Sequence, residues 1–302
     1  MMPLKNLLYL LQLEEYDLNR FDEWLKNNSD RIVLEKKGRL NWTSKSCLLF
    51  ILANFLNIFT IDKWSDKTLK TAVAILLPID TLFKNLLIWR ARHKLKKMTN
   101  LTVIGITGSY GKTTTKDALA HILTHKYQTL KTEGNYNTIL GVAKTITKNL
   151  KPDYEFFIVE MAAYQRGDIK AIAELVKPKI GIITAIGEMH LERFKTSENI
   201  FKTKMELIES LPSNGIGFLP QDLKTQINEN RFIAKIDFFS SKEDLFIKIC
   251  KLFDITEEEV LEYLKTAAKT PHRQEIIKTS AGITIIDDTY NSNPSGFLSA
   301  LE

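Results

Sequence analysis

Cysteine is nearly absent from this 302-residue chain: Cys47 and Cys250 are its only two, and they lie far apart. That excludes a disulfide framework and any cysteine-based metal-ligand spacing, and it fits a reducing compartment. No cleavable leader is legible. The start, MMPLKNLLYLLQLEEY, is apolar, but acids follow it and no small-residue cleavage site does. An uninterrupted apolar run of ordinary membrane-span length, about 20 residues, is also missing. Asn54 and Asn57 interrupt residues 45–63, and Pro78, Asp80 and Lys84 interrupt residues 71–89. Aromatics are not interleaved with basic residues in the manner of a base-stacking platform, which argues against nucleic acid as a partner. Internal repeats and low-complexity tracts are absent.

What is present suffices for one sizeable core plus a smaller module, at 44% hydrophobic residues. The net charge of +6 is unevenly spread: residues 84–98 carry only basic charges, while the first thirty residues are acid-rich. The basic cluster directly follows apolar sequence, so an anionic lipid surface fits it better than nucleic acid does. Composition separates three regions, 1–98, 99–270 and 271–302. In the first, Leu4, Leu7, Leu8 and Leu11 recur at helical spacing, and YDLNRFDEWLKN continues that pattern. Its two apolar stretches are either core helices of a small helical domain or a short membrane hairpin or interfacial pair, with residues 90–97 on the cytoplasmic side.

The second region alternates strand-like runs (LTVIGIT, EFFIVEM, IGIITAI, and shorter ones near GIGFLP and AKIDFF) with helical patterns. This predicts an α/β fold, a parallel sheet of P-loop type with helices on both faces. Thr256 and Glu259 stand in capping-box register and predict a helix start. The third region predicts a strand pair, a polar turn and the beginning of a helix.

Chemistry concentrates in VIGITGSYGKTTTKDALAHIL, residues 103–123. Gly108 and Gly111 follow a strand and open a helix, where backbone N–H groups and the helix N-terminus can cradle phosphate. Lys112 can reach the β and γ phosphates and Thr113 can hold Mg²⁺. The strict phosphate-loop pattern wants Gly where Ile106 stands, so the match is partial. Glu160 is predicted at the C-terminal end of a strand, where open α/β sheets bind ligands and a carboxylate can complete a Mg²⁺ shell. His190 is predicted at a second strand end and is a ligand candidate because of the phosphate loop beside it. Asn135 and Asn137 make a polar loop, by itself an ordinary turn. Lys204, with Lys202 and Glu206, lies on a predicted helix that by charge alone would be a solvated face.

GITGSYGKTTTKD, GNYNTILGVA, VEMAAYQRGDI, IGEMHLERF with KTKMEL, and IIDDTYNSNPSG occur in the order seen in the Mur ligase family, and the chain resembles that family from about Leu101 onward. DDTYNSNP is similar to the branch that adds D-alanyl-D-alanine to a muramoyl tripeptide. The resemblance implies ATP and Mg²⁺ as cofactors, muramoyl-peptide and dipeptide substrates, and amide-bond formation through an acyl phosphate in peptidoglycan precursor synthesis. By position it implies that Gly108, Ser109, Gly111, Lys112, Thr113 and Thr114 bind the nucleotide, with Arg273 and Asp288 near its ribose and phosphates. It implies a first Mg²⁺ held by Thr113 and Glu160, a second with His190 as a ligand, and a carbamylated Lys204 as a carboxylate-like Mg²⁺ partner. Asn135, Asn137, Asn291 and Asn293 would face the substrate. The expected location is cytoplasmic, at the inner face of the membrane. The family's UDP-gripping N-terminal domain is not recognisable here; residues 1–98 resemble a variant with a helical, membrane-apposed segment, which opens a lipid-linked donor as an alternative. Residues 271–302 would begin the family's C-terminal domain, so the chain is expected to be a truncated form. Two other readings stand beside the ligase: a sister enzyme of the folate polyglutamating or cyanophycin type, and a membrane-tethered nucleotide-binding scaffold without ligation activity.

Overall fold

The leucine spacing at the start forms α1 (Leu4–Leu13), which buries Leu4, Leu7, Leu8 and Leu11. The computed structural model describes residues 4–13, 16–27, 40–57, 66–134, 136–187, 191–267, 275–278 and 283–287. The chain divides into two units, Met1–Leu86 and Leu87–Glu302. In the first, α1 is followed by α2 (Leu18–Asn27), α3 (Ser44–Asn57) and α4 (Asp66–Leu95), which continues into the second. Phe21, Leu49, Ala53, Leu69, Ala72 and Val73 pack with the α1 leucines into a core of their own.

Pro78 does not break the second apolar stretch: α4 runs through it for 30 residues. Proline removes one backbone donor and crowds the preceding turn, but the polar residues after it are locally satisfied. Thr81 Oγ1 donates to the Leu77 carbonyl, and Asp80 pairs with Lys45 and Lys84, each at 2.8 Å. The two stretches do form helices, yet much of their apolar surface faces outward, including Leu48, Ile51 and Phe55 on α3 and Ile79, Leu82 and Phe83 on α4.

The second unit is built on β1 (Thr102–Thr107), α5 (Lys112–Thr124), β2 (Thr129–Lys131), α6 (Ile139–Asn149), β3 (Phe156–Glu160), α7 (Asp168–Val176), β4 (Ile180–Ile183), α8 (Leu191–Phe194), α9 (Ser197–Glu209), β5 (Ile216–Pro220) and β6 (Lys235–Phe239). The six strands form one parallel sheet of order β2-β3-β1-β4-β5-β6. Each of the five expected runs is a strand. β2, only three residues long, offers too short a pattern to be seen in sequence. Burial on both faces explains the near-continuous apolar runs. Val103, Phe157 and Val159 pack with α6, α7, α9 and the end of α4 on one face. Ile104, Ile106, Ile158 and Ile182 pack on the other with α5, α10 (Lys242–Lys251) and α11 (Glu257–Thr266). Thr256 caps α11 in the predicted box with Glu259. β7 (Glu275–Lys278) and β8 (Thr284–Asp287) form the expected strand pair, which is antiparallel.

From β1 the chain moves toward one edge of the sheet and returns to build β4 on the other side of β1. Such a reversal opens a crevice at the C-terminal ends of the strands. The loop after β1, the end of β3 and the loop after β4 all meet that edge.

Candidate active site

The loop between β1 and α5 turns through two glycines at positive φ, Gly108 at 148° and Gly111 at 78°. A Cβ on Gly108 would collide with Thr184 and the Ala185 backbone, so only glycine lets the loop lie against the segment after β4. Four hydrogen bonds hold it there. Ser109 N–H donates to Ala185 O at 2.8 Å. Ser109 Oγ donates to Gly187 O at 2.8 Å and accepts from Gly187 N at 3.0 Å. Thr184 Oγ1 donates to Tyr110 O. Ser109, expected at the nucleotide, thus fastens the loop to its neighbour.

Gly111 caps α5 in the left-handed conformation, with no side-chain hydrogen bond to the first turn. By contrast, Thr138, Thr196, Ser241 and Thr256 cap α6, α9, α10 and α11 through their hydroxyls. Gly111 thus gives the first turn of α5 no cap from its own side chain, and that turn sits where the partial positive charge of the helix is greatest. Lys112 opens that turn, its Nζ folded onto Gly108 O at 2.7 Å and Ser109 O at 3.1 Å. Thr113 is buried and Thr114 half-buried in the same turn.

Glu160 ends β3, 3% exposed. Asn137 Nδ2 donates to its Oε1 at 3.1 Å and Lys116 Nζ to its Oε2 at 3.2 Å. Its backbone N–H donates to Thr132 Oγ1 at 3.0 Å. Asn137, expected to face substrate, here holds the carboxylate. Lys116 was not expected at all; its only signal is a lysine one helical turn beyond Lys112.

Lys204 is buried on α9, whereas Lys202 is exposed and pairs with Glu198, so the solvated-face expectation holds only for the latter. Burial, then the charge of Lys112, lowers the Lys204 pKa to about 7 against the pull of Glu206 and Asp168. Glu206 accepts from Gly167 N at 2.7 Å and Lys170 N at 3.0 Å, which tethers α9 to the start of α7. A row of glycines brings α9 close. Gly105, Gly181 and Gly217 are register partners on β1, β4 and β5, and a Cβ on each would press on Leu207, Leu211 or Ile208 of the α9 region. Each glycine sits in the middle of an apolar strand, a signal present in the sequence but uninterpretable before the register is known.

His190, Asn135, Arg273, Asp288, Asn291 and Asn293 lie outside the described residues. Among the described residues no group of three or more His, Cys, Asp or Glu stands together. A cation here would draw on mixed donors: the Glu160 carboxylate, the Thr113 hydroxyl and a modified Lys204. As an amine, Lys204 is a poor partner for a hard cation, which takes oxygen ligands; a carbamate would supply one. With that modification the donors are all oxygen, the chemistry that Mg²⁺ takes.

Residues 106–281 match the Mur ligase middle domain. The chain is 29% identical over 238 residues to the UDP-N-acetylmuramoyl-tripeptide–D-alanyl-D-alanine ligase of Bacillus subtilis, covering 66% of this chain and 52% of that protein. It is 40% identical over 134 residues to the protein of the same name from Synechocystis, covering 44% and 28%. The crystal structure of MurF ligase from Thermotoga maritima in complex with ADP superposes with a TM-score of 0.65 at 27% identity, covering 72% of this chain and 60% of that one. The chain spans about half the length of the first of these relatives.

Proposed function

The chain belongs to the Mur ligase family through its middle domain, and from that premise we propose that it carries the ATP-using centre of a ligase joining D-alanyl-D-alanine to a muramoyl tripeptide. The observation that carries the reading is the placement of a glycine-turned loop and a glycine-capped helix start at the sheet edge where Glu160 ends its strand. The relatives named above supply the substrates of the proposal.

A carboxylate resists nucleophiles because of its charge. Transfer of the γ-phosphoryl group of ATP to the tripeptide carboxylate gives an acyl phosphate and ADP. The amine of the dipeptide then attacks the acyl carbon, and phosphate leaves with the bonding pair. The N–H groups of the first α5 turn and Lys112 would hold the phosphates and meet the charge that develops on them. Thr113, Glu160 and Lys204, the last as a carbamate, would hold Mg²⁺, which when bound neutralises phosphate charge. With its pKa near 7, about half of Lys204 is neutral amine at pH 7, the form that reacts with CO₂. The chain's part is position and electrostatics.

The test is phosphate release from Mg·ATP, with and without UDP-N-acetylmuramoyl tripeptide and D-alanyl-D-alanine. Release that requires both substrates is expected. Release indifferent to either one would overturn the reading, and a requirement met only by a lipid-linked muropeptide would correct the donor.

A membrane face is the second part of the proposal, within a cytoplasmic setting. What supports it is α4, whose segment Lys67–Leu95 is long and apolar enough to cross a bilayer and mostly unburied. Arg92, His93 and Lys94 lie in its last turn. An apolar helix followed by basic residues suits an anionic lipid surface.

A further inference from the structure

Lys116 is the one charged side chain of α5 that is both fully buried and aimed at the candidate metal ligand. It is 1% exposed, 3.2 Å from Glu160 Oε2, 3.4 Å from Gly134 O and 3.9 Å from Asp117 Oδ1. Asp117 is more strongly engaged elsewhere, at 2.7 Å from Lys131. The other Glu160 oxygen is taken by Asn137. Both oxygens of this carboxylate are thus hydrogen-bonded and its charge is balanced by one buried ammonium.

We propose that Lys116 is a positioning residue that makes cation binding at Glu160 depend on nucleotide. The proposal rests on the reading of Glu160 as a Mg²⁺ ligand. A buried carboxylate without a partner is strongly disfavoured, and the Lys116 hydrogen bond holds Glu160 in one orientation while no nucleotide is bound. A divalent cation arriving alone must share that carboxylate with the ammonium, at a separation where like charges in a poorly hydrated site repel strongly. A cation arriving on a triphosphate brings its own negative charge, which offsets the repulsion and also engages Lys112 and the α5 amides. The site therefore discriminates Mg·ATP from free Mg²⁺. Lys112 Nζ donates to the Gly108 and Ser109 carbonyls, and the ammonium hydrogen-bonded to Glu160 is that of Lys116.

The experiment titrates Mn²⁺ into the protein, reading free Mn²⁺ by electron paramagnetic resonance, with and without a non-hydrolysable ATP analogue. Wild type is expected to bind Mn²⁺ at least about tenfold more tightly with the analogue than without it, the scale of a single unfavourable charge contact. Lys116→Gln, which keeps a donor toward Glu160 without the charge, is expected to bind free Mn²⁺ about tenfold more tightly than wild type, and the effect of the analogue shrinks. Lys116→Met serves as the second variant, and far-UV circular dichroism checks that each folds. Tight binding of free Mn²⁺ by wild type would overturn the proposal without recourse to any variant. So would equal free-Mn²⁺ affinity in wild type and a folded Lys116→Gln protein. Mn²⁺ binding with the analogue that survives Glu160→Gln would instead remove Glu160 as a ligand, and with it the reading on which the proposal rests.

Discussion

Two lysines at the candidate site have opposite surroundings. Lys112 is held by carbonyls at the mouth of the loop and stays within reach of a ligand. Replacing it with alanine removes the only side-chain cation of the first α5 turn, so ATP affinity should fall at least about tenfold in calorimetric titration; an unchanged affinity would remove the phosphate-loop assignment. Lys204 is enclosed, and burial followed by repulsion from Lys112 brings its pKa from 10.5 to about 7. Between those values the unfolded chain binds a proton that the folded chain does not. Stability should therefore rise with pH across that window, by at most about 1.4 kcal/mol per unit from this residue. Lys204→Met removes the effect. Urea unfolding of both proteins in CO₂-free buffer should show the wild type gaining on the variant from pH 7 to pH 9, and a constant difference would mean that the amine keeps its proton. Neither environment is visible in the sequence, where both residues are simply lysines beside threonine.

At the scale of elements, the apolar runs were legible because a parallel sheet covered on both faces demands them, and all five expected strands formed. The capping box at Thr256 was legible for a similar reason: its chemistry is local, two side chains three residues apart closing on two backbone N–H groups. The approach of α9 to the sheet was not, because it depends on three glycines that become neighbours only through strand register. Gly105→Ala tests that approach. Its new methyl would stand 2.8 Å from Leu207 Cδ1 and from Met161 Cε, and overpacking of this kind costs about 1–3 kcal/mol. Denaturant unfolding should show a loss in that range, and no loss would mean that the two side chains move aside freely. Pro78 teaches the reverse lesson. Its local rule argues for a break, but the neighbouring turn keeps its hydrogen bond and ion pairs, and the helix continues.

At the scale of the whole molecule, the first unit has a core of its own and also a large uncovered apolar surface on α3 and α4. Leu82 and Phe83 are 67% and 65% exposed, which is costly in water and favourable in the interfacial region of a bilayer. Flotation with vesicles of phosphatidylcholine and phosphatidylglycerol should carry the protein upward. Leu82→Glu combined with Phe83→Glu should leave it at the bottom, and pure phosphatidylcholine, which offers the basic residues in the last turn of α4 no anionic headgroup, should bind it less well. Equal recovery of wild type and the double variant would assign the surface to something other than lipid.

The fold class, the strand runs, the glycine turn after β1 and the place of Glu160 at a strand end were all legible in the chain, since each rests on local periodicity or on neighbouring residues. Tertiary structure alone decided the burial of Lys204, the pairing of Lys116 with Glu160, the fastening of Ser109 to Gly187 and the glycine row beneath α9. Those depend on groups separated by tens of residues that meet only when register and crossovers are set, and no periodicity encodes which partner a buried charge will find.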